Sequence, residues 1–509
     1  LFGGMEVNNL ERRRTFFHGV GIQYDMGMLP SYDYLYFKQG QEEGTQYFSV
    51  VDSYTRSAAF FGTANYSWKG RYSVNGTVRY EGTNKLGKSR SARWLPTWNV
   101  SGAWNIHEEP WFESVRSVLS NATLRASYSL TADRGPSSIT NSKVVITSYN
   151  PWRPSTDVSE SGLGINDVEN SELTYEKKHE FNIGANVGFL DNRINLELDW
   201  YRRNNYDLIG AVTTTGVGGR VTKYANVASM RSHGIEVSLS TRNIVTKDFK
   251  WNTDFIFSKT KNTVTDFDSN VRVIDMVTGT GFTMSGYPVR SLFSFNFQGL
   301  NEDGVPTFIN ESGQVTTSDI YFQEYNEKSH LVYEGSIDPT ITGSFGNVFT
   351  YKNFKLNVFM TYAFGNVIRL DPVFKSSYSD LTAMPKEFKN RWTVQGDELI
   401  TNVPVIADKR LLNNDPYLSY AYNAYNYSTE RVAKGDFIRM KEISLTYDFP
   451  AKLIQPLKLS ALSLKLQATN LFLIYSDKKL NGQDPEFYNS GGVASPMPKQ
   501  FTLTLRLGI

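Results

Sequence analysis

From Phe60 to Glu81, apolar and polar side chains alternate along two segments joined by Lys69-Gly70-Arg71. Phe60, Gly62, Ala64, Tyr66 and Trp68 share one face of the first segment, and Phe61, Thr63, Asn65 and Ser67 share the other. In the second, Tyr72, Val74, Gly76, Val78 and Tyr80 oppose Ser73, Asn75, Thr77, Arg79 and Glu81. A side-chain period of two sends these sets to opposite faces of a sheet. One greasy face, one wet face and aromatic residues where strands meet their turn describe a hairpin in a bilayer.

The pattern recurs to the end of the chain. Apolar rows run through Trp94–Ile106, Ala122–Leu130, Phe181–Phe189, Ile194–Trp200, Ile235–Leu239, Phe249–Phe257, Ile341–Phe349 and Phe354–Phe364. Ile443–Phe449, Leu462–Ala468 and Phe501–Ile509 complete the series, and Leu1–Glu11 opens it. Short links near 69–71, 190–192, 243–248, 351–353 and 450–458 alternate with long polar ones. Residues 107–120 are the longest link on the short side and are expected to hold a helical turn. Val289–Gly299 reads as a strand but breaks the up-and-down parity, so it is placed in an external loop. The expectation is an all-β, antiparallel transmembrane barrel segment of about 14 wall strands with long extracellular loops, treated as one domain over 1–509.

Composition narrows the alternatives. With 40% hydrophobic residues and a mean hydropathy of −0.39, no run approaches the roughly 18–20 apolar residues of a spanning helix. Aromatics make up 14%, which suits the interfacial girdles of a membrane barrel and also suits a carbohydrate-binding surface. A soluble sandwich would alternate too, but its apolar face would be mostly aliphatic, whereas here Tyr and Trp occupy it near strand ends. The formal charge of +2, with dispersed Lys and Arg, excludes a nucleic-acid footprint. No cysteine means no disulfide and no thiolate chemistry. Leu1 opens inside a strand pattern without a leader, and is read as an internal residue of a longer protein.

Three stretches resemble the SusC/RagA family of TonB-dependent outer-membrane transporters. Phe60–Gly87 is similar to that family's aromatic hairpin and the glycine-ended segment after it; Asp436–Pro450, DFIRMKEISLTYDFP, resembles its strand ending in Phe-Pro; and Ala468-Thr469-Asn470-Leu471-Phe472 with Gly482-Gln483-Asp484-Pro485-Glu486 resembles the signature before its closing strand. Weaker likenesses at Leu124–Tyr128 and Ser232–Glu236 keep the same order. The resemblance implies a barrel of about 22 strands with a plugged lumen, so about eight strands, the plug and the TonB box would lie outside this sequence. Open sheet edges in lipid cost several kcal/mol per unpaired backbone group, roughly, which also calls for further strands. A self-closing barrel of about 14 strands is the alternative.

The resemblance further implies a Gram-negative outer-membrane location and import of oligosaccharides or oligopeptides. It implies TonB as the energy source and a SusD-like surface lipoprotein as lid, with a dimer of transporter–lid pairs left open. A structural or adhesive barrel is the rival reading, and a barrel-borne hydrolase a remote third. His18, His107, His179, His233 and His330 lie in separate segments without metal spacing, and no serine has a nucleophile-elbow context, so neither catalysis nor a metal or cofactor is expected. Asn301-Glu302-Asp303-Gly304 reads as a turn rather than a calcium loop.

Two residue sets are candidates for contact. Arg79, Glu81, Arg125, Glu197, Asp199, Lys465 and Arg506 fall on the wet face, where they would meet solute or plug, or simply form a hydrated wall. In the external loops, Tyr32, Tyr34, Tyr36 and Phe37, then Tyr321, Phe322 and Tyr325, then Tyr417, Tyr420, Tyr422, Tyr425 and Tyr427 form aromatic clusters. Such rings stack on sugars, form protein interfaces or pack among the loops, and both the contact and the packing readings stand at this point.

Overall fold

A computed structural model describes residues 1–17, 35, 38–40, 48–135, 144–149, 162–213, 216, 222–267, 271–324, 328–375, 384–407, 409–488 and 498–508. Fourteen strands form one antiparallel sheet in which every strand pairs with its neighbours along the wall in chain order. They are β1 Phe2–Phe17, β2 Phe48–Trp68, β3 Tyr72–Thr83, β4 Trp94–Asn105, β5 Leu119–Asp133, β6 Glu176–Phe189 and β7 Ile194–Thr213. The rest are β8 Thr222–Val245, β9 Phe249–Phe267, β10 Ile341–Tyr351, β11 Phe354–Phe364, β12 Phe437–Asp448, β13 Ala461–Ser476 and β14 Gln500–Gly508. The up-and-down order expected from alternation is the order observed. Among the described residues the outer edges of β1 and β14 pair with no strand.

Register keeps the two faces separate across the whole sheet. Phe60 pairs with Tyr80 and Gly62 with Val78, while Thr63 pairs with Thr77 and Asn65 with Asn75. Leu464 pairs with Leu505 and Ser463 with Arg506 on the last two strands. Because directly opposed residues share a face, the apolar rows run continuously around one side of the sheet. Aromatic rings link neighbouring strands on that side: Tyr72 stacks between Trp68 and Trp104 at 5.8 and 6.2 Å. Tyr80 lies 5.1 Å from Trp94.

Glycine lets side chains from two strands meet over the strand between them. Gly184 on β6 sits between Arg125 of β5 and Asp199 of β7. A Cβ there would overlap Asp199 Oδ1 and lie 3.1 Å from Arg125 Nη2. Likewise the Tyr201 ring crosses Gly234 to reach Thr260, with its hydroxyl 2.7 Å from the threonine oxygen.

The links follow the predicted asymmetry. The short side holds tight turns with left-handed residues at Lys69, Gly70 and Leu190–Asn192. It also holds the 3-10 turns Ile106–Glu108 and Pro110–Val115 in the segment expected to be helical. There Glu109 accepts from the Tyr72 hydroxyl at 2.6 Å and Trp104 Nε1 at 3.1 Å, anchoring the turn to the aromatic rim. Strands Ser291–Phe295 and Phe297–Leu300 pair only with other loop strands, so the segment that broke parity lies outside the wall. Several strands are longer than alternation suggested: β8 has 24 residues, against the roughly 9–11 a tilted spanning strand needs.

Candidate functional site

The sheet presents a polar inner face on which cross-strand ion pairs form. Arg79 donates to Glu81 at 2.7 Å on its own strand and to Glu6 at 2.9 Å two strands away, and Arg134 also binds Glu81. Arg125 binds Glu197 at 2.8 Å and Asp199 at 2.9 Å across the gap left by Gly184. Lys465 lies 3.6 Å from Glu442. Arg506 shares this face through its register with Ser463. The structure therefore brings five of the seven wet-face residues into two clusters, Arg79 with Glu81 and Arg125 with Glu197 and Asp199, and leaves Lys465 and Arg506 apart. Side chains of Arg125 and Glu197 remain 38% and 48% exposed, so these groups stay in contact with water. A hollow of about 390 Å³ beside Arg125 and Asp199 is lined by Ser73, Asn75, Ser101 and Asn182.

Above the wall, the links after β9, β11 and β13 pack into a cap with a hydrophobic core of its own. Val273, Val277, Phe295, Phe308, Phe322 and Tyr425 meet at its centre. Three buried arginines tie the cap segments together. Arg369 Nη1 donates to the Ser428 carbonyl at 2.6 Å, and its Nη2 donates to the Phe293 carbonyl at 2.7 Å and Ser294 Oγ at 3.0 Å. Burial lowers its pKa to about 10, and carbonyl and hydroxyl oxygens accept from both terminal nitrogens of the guanidinium. Burial also lifts the nearby Glu334 carboxyl above its ordinary range. Arg431 binds Glu387 Oε1 at 2.5 Å and the Asp371 carbonyl at 2.6 Å. Arg439, on β12, binds Asp484 and, at 3.1 Å, Glu486. The third contact joins two stretches that carried the family resemblance, a union that sequence separation hid.

The aromatic candidates divide by burial. Helix α1, Leu418–Asn426, buries Ala421, Tyr422, Ala424 and Tyr425 and turns Tyr417 and Tyr420 outward, with those two rings 6.4 Å apart. Tyr321 is exposed and its hydroxyl donates to Asp319 at 3.3 Å. Phe322 is buried against Phe295, and Tyr427 packs on Phe322. Expected ligand contact is thus corrected for Phe322, Tyr422 and Tyr425, which are core residues of the cap. The alanines at 421 and 424 were the signal: they mark a helical face, whereas the tyrosines were read as one loop cluster. Tyr32, Tyr34, Tyr36, Phe37 and Tyr325 lie outside the described residues.

Asn301–Gly304 forms the expected turn, Asn301 Oδ1 accepting from the amides of Asp303 at 3.1 Å and Val305 at 2.8 Å. Gly304 has φ +72°, and a Cβ there would enter the Trp392 ring. His107, by contrast with any catalytic reading, places Nδ1 3.0 Å from the Ala122 carbonyl at the short-side rim.

Residues 3–471 match the family described as TonB dependent receptor-like, beta-barrel. TonB-dependent receptor P3 of Formosa agariphila is 24% identical over 446 residues, covering 85% of this chain and 42% of that protein. TonB-dependent receptor SusC of Bacteroides thetaiotaomicron is 25% identical over 483 residues, covering 89% and 43%. The chain thus spans less than half the length of these relatives. Among solved structures, the RagAB peptide importer in its closed-closed state superposes with a TM-score of 0.78 at 22% identity, over 99% of this chain and 53% of that one. With an apolar outer wall, a polar inner face and a matched family over most of its length, this chain belongs to the TonB-dependent receptor-like β-barrel family of the outer membrane, in the likeness of SusC and RagA.

Proposed function

We propose that this chain supplies barrel wall, lumen and external cap to an active importer of oligosaccharides or oligopeptides. About eight further strands would close the barrel and a plug would fill it. Energy would come through TonB, and a SusD-like surface lipoprotein would close over the cap, in a dimer of transporter–lid pairs. The observation that carries this reading is the coexistence of a hydrated, ion-paired inner face with a rigid cap that displays Tyr321, Tyr417 and Tyr420. The inner face lets a hydrated solute pass, and amphipathic rings give it a first surface to stack on. Arg79, Glu81, Arg125, Glu197, Asp199, Lys465 and Arg506 would contact plug or solute. The protein as a whole moves a solute and makes or breaks no covalent bond in it.

The test is Tyr321→Ala, Tyr417→Ala and Tyr420→Ala together in the full-length protein. Uptake of labelled oligosaccharides and of labelled oligopeptides is measured in separate arms, alongside co-purification of the lid. The substrate arm that loses uptake names the cargo class. Unchanged uptake in both arms with unchanged lid recovery removes these rings from the mechanism. Deleting the whole Tyr417–Tyr427 segment is not informative, because it removes buried Tyr422 and Tyr425 and with them the centre of the cap.

A further inference from the structure

On three adjacent wall strands the outward apolar rows end abruptly and positive charge begins. Along β7 the outward residues Leu196, Leu198 and Trp200 are followed by Arg202; along β8, Val237 and Ile235 are followed by His233 and Arg231; along β9, Phe255 and Phe257 are followed by Lys259 and Lys261. Register brings these cations together: Arg202 pairs with His233, and His233 with Lys261. Strands lie about 4.8 Å apart, so Arg202 and Lys261 stand about 10 Å apart at their Cα atoms. All four permanent cations, Arg202, Arg231, Lys259 and Lys261, are exposed.

They face outward, away from the ion-paired lumen. Tyr201 and Thr260, the neighbours of Arg202 and of both lysines, bond to each other on the inner face. Arg203, one residue on, also turns inward to bind Glu180. Among the described residues none of the four outward cations has an ion pair; Arg231 Nε donates to the neutral Asn204 at 3.3 Å. Asp266, opposite Ser229, is the nearest carboxylate further along β9, beyond the bulge above Arg231. The boundary also slopes: it lies beyond Phe181 on β6, after Trp200 on β7 and already after Phe257 on β9. A tilted strand crossing a flat interface gives that slope, since barrel strands tilt by roughly 35–45°.

We propose that this outward patch binds the phosphorylated headgroup of an outer-leaflet glycolipid. Unpaired cations immediately beyond the hydrocarbon belt, on the long-loop side, stand where an anionic headgroup layer meets the protein. Charge complementarity and depth select that occupant over solute in the lumen, which faces the other side of the sheet. Lys and Arg near an anionic membrane surface each add attraction that salt weakens. The proposal needs only the outer-membrane location and not the import reading.

The experiment compares full-length protein purified from outer membranes with the variant Arg202→Gln, Lys259→Gln, Lys261→Gln. A control of equal charge loss, Lys69→Gln, Lys250→Gln, Lys352→Gln, sits at the short-turn rim. Native mass spectrometry reads bound glycolipid and oligomeric mass, and heat-modified gel mobility confirms a folded barrel. The expected result is glycolipid adducts on the parent and the control, and about a tenfold or greater drop in occupancy on the patch variant. Equal occupancy in all three, or equal loss in the control, overturns the proposal. Adducts of phosphate mass in place of glycolipid overturn it by naming a free ion. A change of oligomeric mass with unchanged lipid overturns it by assigning the patch to a second copy.

Discussion

The wall and the cap of this chain bury their apolar side chains against different media. Among the described residues, none of the twelve largest fully buried side chains, Tyr422, Phe295, Phe308 and Leu86 included, lies on the fourteen wall strands. Wall residues such as Val78 and Leu466 are 53% and 54% exposed, because hydrocarbon rather than protein is their intended neighbour. The cap stands in water and follows the rules of a soluble domain: a packed aromatic centre, buried arginines whose terminal nitrogens donate to carbonyls and carboxylates, and a helix with one greasy side. One chain thus uses two solvents, and the same substitution type should behave differently in each.

The largest effect is expected in the cap. Phe295→Ala removes a ring that is 1% exposed and lies 5.1 Å from Phe322, and should cost about 3–5 kcal/mol of cap stability. Hydrogen exchange should rise across Ser291–Phe295 and α1 while the wall stays protected. If wall amides lose protection equally, cap and wall are one cooperative unit and the contrast collapses.

Next comes the wall's own asymmetry. Val78→Arg or Leu464→Arg should cost about 2–4 kcal/mol near the bilayer midplane, while Thr77→Arg or Ser463→Arg, on the wet face, should be tolerated. Unfolding by urea in lipid bilayers measures both members of each pair, and equal costs would show that the faces are not lipid and water.

A smaller effect belongs to the inner face. Asp199→Asn should weaken the wall by about 0.2–1 kcal/mol, since the pair with Arg125 is partly hydrated. Gly184→Ala should lose the same contact by crowding Asp199 Oδ1, so adding Asp199→Asn to it should cost little more. Full additivity in a double-mutant cycle would detach Gly184 from the ion pair.

The smallest is a pH effect at the cap surface. Asp397 accepts from the amides of Thr393 at 2.9 Å and Val394 at 3.0 Å, which hold its carboxyl below the ordinary carboxylate range. A depressed pKa stabilises the turn above the unfolded carboxylate value, and that contribution is lost as pH falls through the folded one. The protection of the Thr393 and Val394 amides, read as their exchange relative to the intrinsic rate at each pH, should therefore fall on acidification, and less so in Asp397→Asn. A pH-independent rate difference would assign these bonds no role in the turn.

Much of the wall was legible because alternation is local. All fourteen strands, the short and long sides, the extra-wall placement of Val289–Gly299 and the helical turn in 107–120 came from a period of two and from turn residues. Strand ends were not legible: β8 and β9 continue past the lipid, where the outward residues become polar and the greasy alternation that marks a strand disappears. Gly184 looked like any strand glycine, because its use depends on residues of two other strands.

In the external loops, sequence separated aromatic from polar segments but could not sort Tyr417 and Tyr420 from Tyr422 and Tyr425. Their fates rest on which side of α1 meets Phe297 and Val305, more than a hundred residues earlier. Nor could the arginines at 369, 431 and 439 be told from surface charges, since a buried cation is recognised only by the carbonyls and carboxylates that gather round it. By itself the sequence determined that this chain makes a two-faced sheet and which face is greasy, because both follow from side-chain period and transfer free energy. Tertiary structure alone decided what the loops bury and display, because burial in water is settled by contacts between segments that alternation does not relate.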